Sequence, residues 1–68
     1  MFNYSKLNGR IREVCGTQAK FAEKLGISQH SLSMKLNGKN KFKQDEIMRS
    51  VEVLGLEIRE IPDYFFAA

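Results

Sequence analysis

The sequence predicts an all-α fold of four to five short helices in a single domain spanning residues 1–68. Three observations carry that expectation. Apolar residues recur at helical rather than alternating spacing. Capping residues and glycines punctuate the chain where those stripes begin and end. No segment shows the two-residue alternation of a half-buried strand, and no repeat, linker or low-complexity stretch interrupts the pattern.

The first helix is expected over about 5–15, with Asn3 or Ser5 as its cap and Gly16 as its stop. Leu7, Ile11, Val14 and Cys15 stand at i, i+4, i+7 and i+8, which is one face of a helix. Gly9 inside it weakens the helix by about 1 kcal/mol relative to alanine, a cost that a close packing contact would explain. A second helix, over about 18–25, has Thr17 as N-cap and Gly26 as a left-handed C-cap. Ala19, Ala22 and Leu25 form its stripe, with Phe21 beside it and Ile27 plugging the turn that follows. Ser28 caps a third helix over about 28–37, with Leu32 and Leu36 on its buried face and Asn37-Gly38 at its end.

Lys39 to Lys43 reads as a basic loop anchored by Phe42. The fourth helix, over about 44–54, opens with Asp45 and Glu46, where the helix dipole favours acids. Ile47, Val51 and Leu54 make its stripe with Met48 alongside, and Gly55 stops it. The last segment is open between two readings: a short helical element over about 59–66 started by Pro62, or an extended piece at 58–61.

Composition removes most function classes. With 68 residues, 43% of them apolar and 28% charged, the chain supports a small core and is neither disordered nor collagen-like. One cysteine forms no internal disulfide, and one cysteine with one histidine cannot make a four-ligand zinc site, so neither metal nor cofactor is expected. No apolar run approaches the roughly 20 residues of a membrane span and no signal peptide opens the chain, so a membrane is not an expected partner and the location is cytoplasmic. The chain shows no paired-carboxylate cleft, nucleophile–histidine–acid arrangement or phosphate-cradling glycine loop, so neither an enzyme nor a small-molecule substrate is expected. Cys15, on the apolar face, reads as a small buried thiol.

Charge is uneven. The net charge is +3, but residues 1–44 hold nine lysines and arginines against two glutamates, a net +7, and residues 45–68 hold two against six, a net −4. A basic body suggests one surface that faces a polyanion.

The most informative stretch is QAKFAEKLGISQHSLSMKLNG, residues 18–38. A short helix, a tight turn at Gly26-Ile27-Ser28 and a second short helix meet the requirements of a helix-turn-helix. Ala22 is small where the helices cross, and Gly26 supplies the positive φ of the turn. The outward face of the second helix is then Gln29, His30, Ser33 and Met34, flanked by Lys35 and Asn37. Glutamine can pair with adenine in two bonds, and serine or histidine can meet several base edges in the major groove. Lys39, Lys41 and Lys43 lie beside that helix, where they can meet phosphates.

Residues 5–55, with TQAKFAEKLGIS and SLSMKLNG as their core wording, resemble the DNA-binding domain of the lambda-repressor and Cro family, XRE-type helix-turn-helix regulators, especially the short phage-encoded members. The resemblance implies a lambda-repressor-like fold. It also implies a sequence-specific transcriptional regulator of Cro or repressor type, of phage or prophage origin. Such a regulator binds double-stranded palindromic operator DNA as a homodimer, at the nucleoid of a bacterial host cell. Gln29 and His30 match its base-reading positions, and Ser33 and Met34 its next groove-facing ones. Gln18 matches a phosphate-bonding glutamine, Asn37 a phosphate-contacting asparagine, and Asn40 a loop residue that reaches base or backbone. His30 departs from the more usual glutamine or serine, and Met34 is apolar.

Tyr64, Phe65 and Phe66 exceed what one small core accommodates, so they are expected to form the dimer interface; folding back to close the domain is the other reading. The alternative function is a protein-interaction module on the same fold, antirepressor or antitoxin-like, acting through this aromatic segment.

Overall fold

The computed structural model describes residues 3–66, which form five α-helices and one 3-10 turn, with no strand among them. The order is α1 (Ser5–Cys15), α2 (Gln18–Leu25), α3 (Gln29–Leu36), α4 (Gln44–Leu54), the 3-10 turn Ile58–Glu60 and α5 (Ile61–Phe65). The all-helical expectation holds, and the C-terminal segment takes the helical of its two readings. No helix among the described residues is long and apolar enough to cross a membrane.

Local chemistry sets the ends. Thr17 and Ser28 accept at their side chains from the backbone N–H groups of Lys20 and Ser31, at 3.2 and 3.0 Å. At α1 the bond comes from one residue further out: Asn3 Oδ1 accepts from the Ser5 N–H at 2.8 Å, and Tyr4 is the N-cap. Helices α2 and α4 both close with a left-handed glycine, Gly26 and Gly55. In each the next residue reaches back to the start of the last turn, Ile27 N–H to Ala22 and Leu56 N–H to Val51. An arginine from another helix then donates to the last helical carbonyl: Arg49 to Leu25 at 2.7 Å, Arg10 to Leu54 at 2.9 and 3.1 Å.

Helix α2 packs against α1, α3 and α4, and α5 closes the molecule against α1 and α4. Leu7, Ile11, Phe21, Leu25, Leu32, Leu54 and Phe65 are withdrawn from solvent where these helices meet. Each side chain of that size contributes about 1.5–3 kcal/mol through burial.

Several details depart from the periodicity. Val14 is exposed, because the inner stripe of α1 is the narrower Leu7, Ile11 and Cys15. Ala19 is exposed too, and Phe21 takes the central place in α2. Helix α4 is turned so that Glu46 and Ser50 point inward and Met48 outward. Both polar residues are satisfied there: Ser50 donates to the Glu46 carbonyl at 2.7 Å, and Glu46 meets Lys35. Gly9 has nothing within 4 Å of where a Cβ would stand, so close packing does not explain it.

The aromatic run is divided. Tyr64 and Phe65 are buried and Phe66 is exposed, which corrects the assignment of all three to a dimer interface. The reason is the short α5, wedged across α1 and α4, which brings both neighbouring rings into the core. Phe65 stands edge-on to Phe42 at 5.2 Å between ring centres, and Phe42 edge-on to Tyr4 at 5.5 Å. The Lys6 ammonium lies 4.7 Å from the centre of the Tyr64 ring.

Candidate protein-interaction surface

Two surfaces stand out once the core is subtracted. The first is the outer flank of α3. Gln29 and His30 are exposed, Ser33 and Met34 half-buried, and all four share one face, as their spacing predicts. Asn37 donates to Ser33 Oγ at 3.4 Å, which extends that face by one polar group. Gln18 is engaged elsewhere: its amide donates to Asn8 Oδ1 at 2.9 Å, fastening the start of α2 to α1.

Charge on this flank differs from the sequence reading. Lys35, expected beside the outward face, is buried. Its Nζ lies 3.3 Å from Glu46 Oε1 and donates to the Lys41 carbonyl at 3.3 Å. Glu46 Oε1 also accepts from the Lys43 N–H at 2.8 Å. One buried ion pair thus fastens the loop 37–43 to α3 and α4. With Lys35 inside, Gln29 to Leu36 presents no charged side chain to solvent. Lys39, Asn40, Lys41 and Lys43 are exposed around the loop, and the Lys39 and Asn40 N–H groups fold back onto the Met34 carbonyl.

The second surface is an open groove of about 470 Å³ between that loop, α4 and α5. Phe42, Ile47, Met48, Ile61 and Phe66 supply most of its lining, Tyr4 and Phe65 its floor, and Lys41 and Gln44 its polar edge. Met48 and Phe66 are 42% and 53% exposed, large values for apolar side chains. Of these residues Phe65, Phe66 and Lys41 were surface candidates from the sequence, the two rings for a dimer interface and the lysine for a phosphate. Phe42 was read as the anchor of the loop and Met48 as lying alongside the α4 stripe, and nothing local showed that they share a groove. Burial pushes the Tyr4 hydroxyl pKa above its ordinary value.

Among curated proteins none matches the chain. Among solved structures it is similar to the modulator of repression (MOR) of the temperate bacteriophage TP901-1 from Lactococcus lactis. The two superpose at a TM-score of 0.83 with 49% sequence identity, over 96% of this chain and 88% of that one.

That relative is a modulator of repression, and it overturns operator DNA as the main partner, and the operator-bound homodimer with it. The positions of Gln29, His30, Ser33 and Met34, and of Gln18, Asn37, Lys39, Asn40, Lys41 and Lys43, stand as described; the operator as the molecule they meet does not. The uncharged flank of α3 agrees with this correction, since the cores of protein interfaces are depleted of charge. Over residues 1–68 the chain matches the family described as protein of unknown function, DUF739, and it belongs to that family.

Proposed function

We propose that this chain modulates repression in a temperate phage by binding a repressor protein. The observation that carries the reading is the 49% identity, sustained over 96% of the chain, to a modulator of repression. It replaces the Cro-type operator-binding reading and takes up the antirepressor alternative with one change of surface. Of the C-terminal aromatics only Phe66 is exposed, so the contact is not made by the whole aromatic run.

Two surfaces low in charge support a protein partner: the α3 flank and the groove beside Phe42. The groove supplies the larger driving force, because covering Met48 and Phe66 removes apolar area from water at roughly 25 cal/mol per Å². Gln29 and His30 supply adaptable hydrogen bonds and little desolvation cost.

We also read α1 to α4 as a lambda-repressor-like helix-turn-helix unit. The left-handed Gly26 between α2 and α3, with Ala22 buried where α2 packs, supports that assignment.

The test is direct. Purified chain is titrated into the phage repressor by calorimetry, and into the repressor–operator complex by mobility shift. A complex with the repressor and a change in operator occupancy are expected. No complex with the repressor, or retention of the operator by this chain alone at physiological salt, overturns the reading.

A further inference from the structure

We propose that the groove beside Phe42 docks an amphipathic helix of a protein partner, one whose apolar face is flanked by aspartate or glutamate on the side of the loop 37–43. The inference deepens the repressor-binding reading and rests on it for the source of that helix.

Four observations carry it. The groove is apolar along its length, through Phe42, Ile47, Met48, Ile61 and Phe66. Among the described residues there is no strand whose edge could pair with an extended peptide, so a helix laid into the groove is the mode of recognition the fold offers.

The rim is basic on one side. Among the described residues Lys41 is the one charged side chain lining the groove, exposed Lys39 and Lys43 stand in the same loop, and no acid lies between residues 36 and 44. Lys35, the remaining cation of the region, is already matched by Glu46. The acids of α4, Asp45 and Glu52, lie with Arg49 on the face beyond Met48. The field across the groove therefore has a direction, and an acidic flank is drawn to the loop side.

The rim is also held in place. Lys35 Nζ is bonded to the Lys41 carbonyl and Glu46 Oε1 to the Lys43 N–H, so the loop backbone is fixed before any partner arrives. A pre-set rim loses little entropy on binding.

The experiment uses the whole chain and two synthetic helical peptides. Both carry leucine and phenylalanine at i, i+3, i+4 and i+7; one has glutamates flanking that face, the other lysines. Anisotropy gives affinity and amide shifts give location. The glutamate peptide is expected to bind at least about tenfold more tightly. Its shifts are expected at Phe42, Ile47, Met48 and Phe66, and its affinity should fall between about 0.05 and about 0.5 M salt. Lys41→Glu is expected to reverse the preference, and Met48→Asp, at an exposed site, to abolish binding of both while leaving the helical circular dichroism intact. Equal affinity for the two peptides, or shifts confined to other surfaces, overturns the proposal.

The phage repressor separates this proposal from the function. Repressor binding that is undiminished by Met48→Asp and Lys41→Glu sinks the groove assignment and leaves repressor binding standing. Peptide binding of the expected kind without any repressor complex supports the groove and sinks the repressor reading.

Discussion

Two residues carry sharp expectations of their own. Gly9 sits exposed inside α1, and beyond its own helix backbone and chain neighbours no described residue comes within 4 Å of where a Cβ would stand. Its backbone is ordinary helix, since the positive-φ glycines are Gly16, Gly26, Gly38 and Gly55. Gly9→Ala therefore removes a backbone-entropy cost without a clash, and thermal unfolding should show a gain of about 0.5–1 kcal/mol. Tyr4 carries the pH dependence. Burial raises its pKa, so the folded chain holds the phenolic proton more tightly than the unfolded chain does. That contribution is complete below the ordinary tyrosine pKa of about 10 and is lost as pH rises through the raised value. Urea midpoints measured from pH 8 to 11 should fall at the alkaline end, less steeply in Tyr4→Phe; equal slopes in the two proteins would remove Tyr4 as the cause. At this scale the sequence was legible wherever the cause was local. Thr17, Ser28, Gly26 and Gly55 act within a few residues of themselves, and each does what its type dictates. Lys35 was not legible, because its partner Glu46 lies eleven residues on, in another helix.

At the scale of the element, the loop 37–43 depends on that pair. Lys35 and Glu46 have side chains only 7% and 9% exposed, so each charge needs the other. Lys35→Ala leaves a carboxylate buried without its cation and should cost about 3–5 kcal/mol in chemical denaturation, whereas an apolar pair at both positions should recover most of the loss. The single variant should also loosen the loop, since the Lys41 carbonyl loses its donor. Amide exchange at residues 39–43 reads that out, and protection unchanged from the parent would mean that the Met34 carbonyl, the Glu46 carboxylate and Phe42 hold the loop without Lys35. The same pair adds a polar side to the inner face of α4. Periodicity placed Ile47, Val51 and Leu54 on the inner face with Met48 alongside; Val51 and Leu54 are buried and Ile47 packs against the core, Met48 is exposed, and Ser50 and Glu46 are the inward residues that periodicity did not mark. A hydrophobic pattern ranks residues by type; the fold ranks them by whether their polar atoms find partners.

Across the whole molecule, the helix order and the core were legible and the partner was not. A short uncharged helix after a tight turn serves a base edge or a protein face equally well, so its residues alone do not name the molecule they meet. The aromatic run shows the same limit. Three consecutive rings announced a surplus, but their division depended on how α5 crosses α1 and α4. Tyr4, Phe42 and Phe65 stack edge-on in series and join the start of the chain, the loop and the last helix. Phe65→Ala therefore acts on all three at once and should cost about 3–5 kcal/mol. A chain of this length has only about 3–10 kcal/mol of stability in total, so that variant should be largely unfolded or lose its cooperative transition in urea. Phe66→Ala, one residue along and 53% exposed, should stay within about 0.5 kcal/mol of the parent and yet weaken capture of a partner at the groove. Circular dichroism in urea separates the pair. A stable Phe65→Ala beside an unstable Phe66→Ala would mean that α5 packs with the opposite ring inside, and the groove would then have to be redrawn.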